Sequence, residues 1–94
     1  MDVLLNEKIL ASPGVLVREL GGEMVLLHLD SEAYFGLDEV GARMWTLLTS
    51  AESFEAAFQA LLAEYEVDEN LLRQDMTALL EQFLEYGLVE IDRA

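Results

Sequence analysis

The hydrophobic period of this chain changes once, at residue 38, and that single change restricts it to a fold with a sheet half and a helix half. Upstream, Val15 to Leu20 is rich in branched residues, Gly21-Gly22 follows, and Glu23 to Leu29 is a second apolar run. Two strand-length runs separated by Gly-Gly predict a tight hairpin. Asp30-Ser31-Glu32 makes a polar turn, and Ala33-Tyr34-Phe35-Gly36-Leu37 has the length of a third strand. Ser12-Pro13-Gly14 is a turn signal ahead of the first run. Lys8 to Ala11 adds an edge piece to what reads as a three-stranded antiparallel meander.

Downstream, the apolar residues recur at helical spacing. Asp38 is placed to cap a helix containing Val40, Met44, Trp45, Leu47 and Leu48, with Glu39 in its first turn. That helix ends near Thr49-Ser50. Ser53 caps a second, carrying Phe54, Ala57, Phe58, Leu61 and Leu62 to about Tyr65. Asp68 caps a third, whose apolar residues are Leu71, Leu72, Met76, Leu79, Leu80, Phe83 and Leu84. Gly87 sits where a left-handed C-terminal cap belongs, and Leu88 to Ile91 alternates as a last short strand. The expected fold class is α+β and winged helix-turn-helix-like, an N-terminal three-stranded antiparallel sheet followed by three helices. At 94 residues the expectation is one domain over 1–94.

Composition removes several function classes. Five Lys plus Arg against 19 Asp plus Glu give a net charge of −14. Nucleic-acid affinity rests mainly on neutralising phosphates, and a DNA-reading third helix needs Arg and Lys along it. Here Arg73 stands against Glu69, Asp75, Glu81 and Glu85. The same charge repels anionic membranes, and no apolar run approaches the roughly 18 residues of a membrane span. With no cysteine there is neither a disulfide nor a cysteine zinc site. The N-terminal Met-Asp-Val-Leu-Leu-Asn-Glu carries acid where a secretory signal needs Lys or Arg. A soluble, cytoplasmic protein is expected.

Catalytic chemistry finds no footing. His28, the one histidine, lies in a strand without the three or four converging ligands a metal site needs, so it reads as a packed or half-exposed structural residue. The pairs Asp38/Glu39 and Glu52/Glu55 stand at helix starts, where capping and dipole account for them. No Gly-x-Ser-x-Gly, phosphate loop or Gly-x-Gly-x-x-Gly is present. No metal, no cofactor and no enzymatic activity are expected.

Binding is a different matter. The short third strand with its aromatics and Gly36 is a candidate open edge, and open edges accept extended peptides as added strands. The third helix can wall a groove beside it. Leu79, Phe83 and Leu84 read as core; Leu72, Met76 and Leu80 fit core and groove equally well. Arg73 can pair with an acid on a bound peptide or with Glu69 one turn back. An apolar edge can also self-pair, so a monomer or a weak dimer is expected.

The string Leu29-Asp30-Ser31-Glu32-Ala33-Tyr34-Phe35-Gly36-Leu37-Asp38-Glu39-Val40-Gly41-Ala42-Arg43-Met44-Trp45 resembles the PqqD-like family, in which an aromatic segment leads into a Trp-bearing helix. Phe54-Glu55, Leu61 to Val67, and Phe83-Leu84-Glu85-Tyr86-Gly87-Leu88-Val89 extend the resemblance over roughly residues 14 to 91. It implies a recognition element that binds the leader segment of a ribosomally made precursor peptide, docked against the third strand and packed on the third helix. Carried over by position, the peptide-binding residues are Ala33, Tyr34, Phe35, Gly36 and Leu37 on the strand and Leu72, Arg73, Met76 and Leu80 on the helix.

The stretch Val40 to Trp45 is more similar to the stand-alone leader-binding proteins of lasso peptide clusters, whose partner half is a cysteine protease. A chain without cysteine is not that half. The implied partners are a precursor leader peptide, a separate leader peptidase and, as a further candidate, a cyclase. Three rivals stand beside this reading: a peptide chaperone of pyrroloquinoline quinone biosynthesis presenting its precursor to a radical enzyme, a winged-helix regulator, and a structural adaptor.

Overall fold

The computed structural model describes residues 7–92. Strands β1 (Lys8–Ala11), β2 (Val15–Leu20), β3 (Glu23–His28) and β4 (Ala33–Leu37) come first. Helices α1 (Glu39–Ser50), α2 (Phe54–Glu64) and α3 (Glu69–Glu85) follow, and β5 (Val89–Asp92) closes the chain. The α+β architecture is the expected one. The winged-helix description is loose, because the three-stranded sheet precedes all three helices in chain order.

That sheet has the order β2-β3-β4 and is antiparallel throughout. Gly21 and Gly22 both have positive φ, 60° and 90°, as a two-residue hairpin turn of the I′ kind requires. The second turn delivers β4: Glu32, at φ 58°, donates its N–H to the carbonyl of His28 at 2.7 Å. Lys8–Ala11 does not extend this sheet, contrary to expectation. It pairs with β5 in a separate two-stranded sheet, Ile9 opposite Ile91. The pairing partner lies about eighty residues away in the chain, and no local pattern announces it.

Each helix starts as its cap residue predicts. Asp38 accepts from Gly41 N–H at 2.8 Å, Ser53 from Ala56 N–H at 3.1 Å, and Asp68 from Asn70 N–H at 2.7 Å. Helix α3 ends in a Schellman motif: Gly87, at φ 70°, donates to Leu84 and Leu88 donates to Phe83 at 2.8 Å. The helices enclose one core. Ile9, Leu26, Leu48, Phe54, Phe58, Leu61, Met76, Leu80, Phe83 and Leu88 are fully buried in it. Trp45 meets Phe83 edge to face, with centroids 5.1 Å apart, which fixes α3 against α1. No helix among the described residues is long and apolar enough to cross a membrane.

Candidate functional site

Strand β4 is the edge of its sheet, and the register tells which of its backbone groups are unused. In a two-residue hairpin the flanking residues, here Leu20 and Glu23, form a hydrogen-bonded pair, and such pairs alternate along an antiparallel ladder. The bond from Leu29 N–H to Gly14 O, 2.9 Å, falls on the same alternation. Val25 and Leu27 therefore turn their backbone toward β2, and Met24, Leu26 and His28 turn theirs toward β4. Their partners Leu37, Phe35 and Ala33 are used up in the sheet. Tyr34 and Gly36 are left with N–H and C=O directed away from it.

Side chains sort by the same alternation. Phe35 and Leu37 point inward, opposite the buried Leu26 and Met24. Tyr34, 75% exposed, points to the outer face, where it stands in a row with Leu27 and Leu16. Gly36 has open space where a Cβ would be.

Beside this edge runs a groove of about 440 Å³. One wall is Phe35, Gly36 and Leu37. The turn into α1 adds Asp38, Val40, Gly41 and Met44, and α3 adds Asp75, Leu79 and Gln82. Phe35 closes one end by packing edge to face on Phe83 and Tyr86, at 5.6 and 5.4 Å. A half-apolar channel beside a strand with free ladder groups is a place for an extended chain.

The helix residues expected here require correction. Leu72, Met76 and Leu80 are 5%, 0% and 0% exposed and belong to the core. Spaced i, i+4 and i+8, they form the buried stripe of α3. The stripe facing β4 is Asp75, Leu79 and Gln82, with Tyr86 one turn further on. Leu79, read as core, is half-buried and lines the groove, whereas Phe83 is core as expected. Arg73 lies on the other side of α3. It donates to Glu55 at 3.0 Å, with its guanidinium carbon 4.0 Å over the Phe58 ring. The proposed pair with Glu69 does not form.

The electrostatics around the helices is structural. Arg43 makes a forked pair with Glu64, both contacts to Oε2 and Oε1 at 2.9 Å. The hydrogen bond holds the Glu64 carboxyl below its ordinary range and raises the Arg43 guanidinium. The Arg73 and Gln59 hydrogen bonds likewise hold Glu55 low. His28 accepts a long bond from Ser31 N–H, 3.4 Å, at the end of β3. Among the described residues no group of His, Asp and Glu could hold a metal ion.

The site is thus a sheet edge with outward ladder groups beside a groove whose α3 wall is one apolar residue, Leu79, between the polar Asp75 and Gln82. The sequence model of the family described as coenzyme PQQ synthesis protein D (PqqD) matches residues 23–89, and the chain belongs to this family. Two solved structures are similar. TbiB1 in complex with the TbiA(beta) leader peptide is 37% identical, with a TM-score of 0.80 over 86% of this chain and 94% of that one. A lasso peptide synthetase B1 complexed with the leader peptide is 28% identical, with a TM-score of 0.78 over 88% of this chain and 98% of that one. No curated protein matches the chain.

Proposed function

We propose that this chain captures the leader of a ribosomal precursor peptide as a fourth strand on β4 and delivers it to a separate leader peptidase of lasso peptide biosynthesis. The observation that carries the reading is the unpaired outward edge at Tyr34 and Gly36, set beside a groove, in a chain similar to two proteins held with leader peptides. Each ladder bond contributes about 0.5–1.5 kcal/mol. Specificity then comes from leader side chains seated between Phe35 and Leu79.

The chain works in the cytoplasm and makes or breaks no bond. It supplies affinity and geometry, raising the effective concentration of substrate at the peptidase. The outer-face row of exposed Leu16, half-buried Leu27 and exposed Tyr34 is continuous with the capture edge and supports docking of that partner against the outer sheet face. The family description keeps one second reading in view, a chaperone for the precursor of pyrroloquinoline quinone.

The test is fluorescence anisotropy with a labelled leader from the precursor encoded beside this chain's gene, with a scrambled leader as control. Micromolar or tighter binding of the true leader alone supports capture, and the leader's identity separates the two pathways. Cleavage by the neighbouring peptidase is then timed with and without this chain. Equal rates overturn delivery and leave capture standing.

A further inference from the structure

The groove beside β4 has two chemically different ends. Toward the C-terminal end of α3 its lining is the Phe35 ring, which is backed by Phe83 and Tyr86. At the other end Asp38 and Asp75 line it, together with Leu37, Gly41 and Met44. Asp38 accepts the capping bond from Gly41 N–H at 2.8 Å. The Asp75 carboxylate makes no hydrogen bond or ion pair with another described residue.

No Lys or Arg among the described residues answers these two carboxylates. Arg43 is held by Glu64 and Arg73 by Glu55. Arg18 lies on β2, at the far edge of the sheet, and Lys8 lies on β1 opposite Asp92. None of these four lines the groove. An extended chain laid on β4 covers both acids and takes part of their water away, which is unfavourable unless a positive group replaces it. An acidic side chain at that point meets two like charges on a protein of net charge −14.

Geometry limits where the positive group stands. From Asp75 to Gln82, the part of α3 that lines the groove, the helix rises about 10 Å, the span of about three extended residues. Alternate residues of an added strand face the groove, so side chains at its two ends are an even number of residues apart. A Lys or Arg there also lays its methylenes along Leu79 and Met44.

Resting on the leader-capture reading, we infer that Asp75 and Asp38 are specificity-determining residues. They select a leader that carries Lys or Arg at the groove-facing position between them, on the same strand face as the apolar residue seated on Phe35.

The test uses two labelled peptides, the TbiA(beta) leader and the N-terminal segment of the precursor encoded beside this chain's gene. Each position is replaced in turn by Lys, Gln and Glu, and binding is measured at low and moderate salt. At one position Lys binds about tenfold tighter than Glu, with Gln between, and the ratio shrinks as salt is added. Asp75→Asn reduces the ratio to about twofold, on the same scale. Asp38→Asn, which keeps a good cap residue, lowers it as well and carries the test if the first variant fails to fold. Glu81→Gln changes the net charge equally but lies on the opposite face of α3, and it leaves the ratio intact. Parent peptides that bind with no such position, or with a ratio that Glu81→Gln lowers as much as Asp75→Asn does, overturn the inference alone. If neither parent peptide binds, leader capture itself fails and the inference falls with it.

Discussion

Arg73 and Glu55 form a two-point contact, Nη1 to Oε1 at 3.0 Å and Nη2 to Oε2 at 3.4 Å, that ties α3 to α2 on the side away from β4. The guanidinium also covers Phe58. Arg73→Ala is therefore expected to lower stability by about 0.5–1 kcal/mol through the lost stacking and to change leader affinity less than about twofold. Urea unfolding and leader anisotropy on the same sample check both halves. A large loss of affinity with unchanged stability returns Arg73 to the binding site.

Proline separates the two kinds of backbone group on β4. At Gly36 the N–H faces outward, and proline is tolerated on an edge strand in that orientation. Gly36→Pro is expected to keep the fold and abolish leader binding. Gly36→Ala meets nothing within 4 Å and is expected to bind normally. Phe35→Pro removes a donor used by β3 and is expected to disrupt the hairpin itself. Circular dichroism with anisotropy distinguishes the three. Strong leader binding by a folded Gly36→Pro protein rules out strand addition at that position.

Met76 and Leu79 lie within one turn of α3 and face different neighbours. Met76 is fully buried, so Met76→Ala is expected to cost about 2–5 kcal/mol, and Met76→Glu to unfold the domain. Leu79→Ser is expected to reduce leader affinity at least fivefold, a loss of about 1 kcal/mol, with a much smaller effect on stability. Thermal melts beside binding curves decide between them. The opposite ranking would exchange core and groove.

Acid sensitivity follows from Glu64 and Glu55, both held below the ordinary value of 4.5 by their arginines. A carboxylate with a lowered folded value contributes stability above the unfolded value and loses it as pH falls through the folded one. Arg43→Gln is expected to be less stable than the parent near neutral pH, with the gap closing below the ordinary Glu range. Urea midpoints across that window measure it. A gap that stays constant shows that the pair adds nothing through charge.

Much of the fold was legible from local signals. Gly21-Gly22, the three cap residues and Gly87 each act within four residues of themselves, so sequence alone located the turns and the helix ends. Pairing of β1 with β5 was not legible, because that choice is settled by burial of Ile9 and Val89 in a core assembled from distant segments. That β4 is an edge strand beside a groove was legible through its aromatics and its position. Which α3 residues line that groove was not legible, because Leu72, Met76, Leu79 and Leu80 are equally apolar, and a period of 3.6 residues does not say which side meets the sheet.

Asp75 and Gln82 carried no sequence signal at all, since polar residues on a helix ordinarily mean a solvated face. What the sequence determined by itself was the order of elements, the acidic surface and the presence of an edge strand, all set by near neighbours and by composition. The tertiary structure alone decided which stripe of α3 stands beside β4. Packing rotates the helix until its best-filled stripe, Leu72, Met76, Leu80 and Phe83, is buried, and the groove belongs to the residues left next to it.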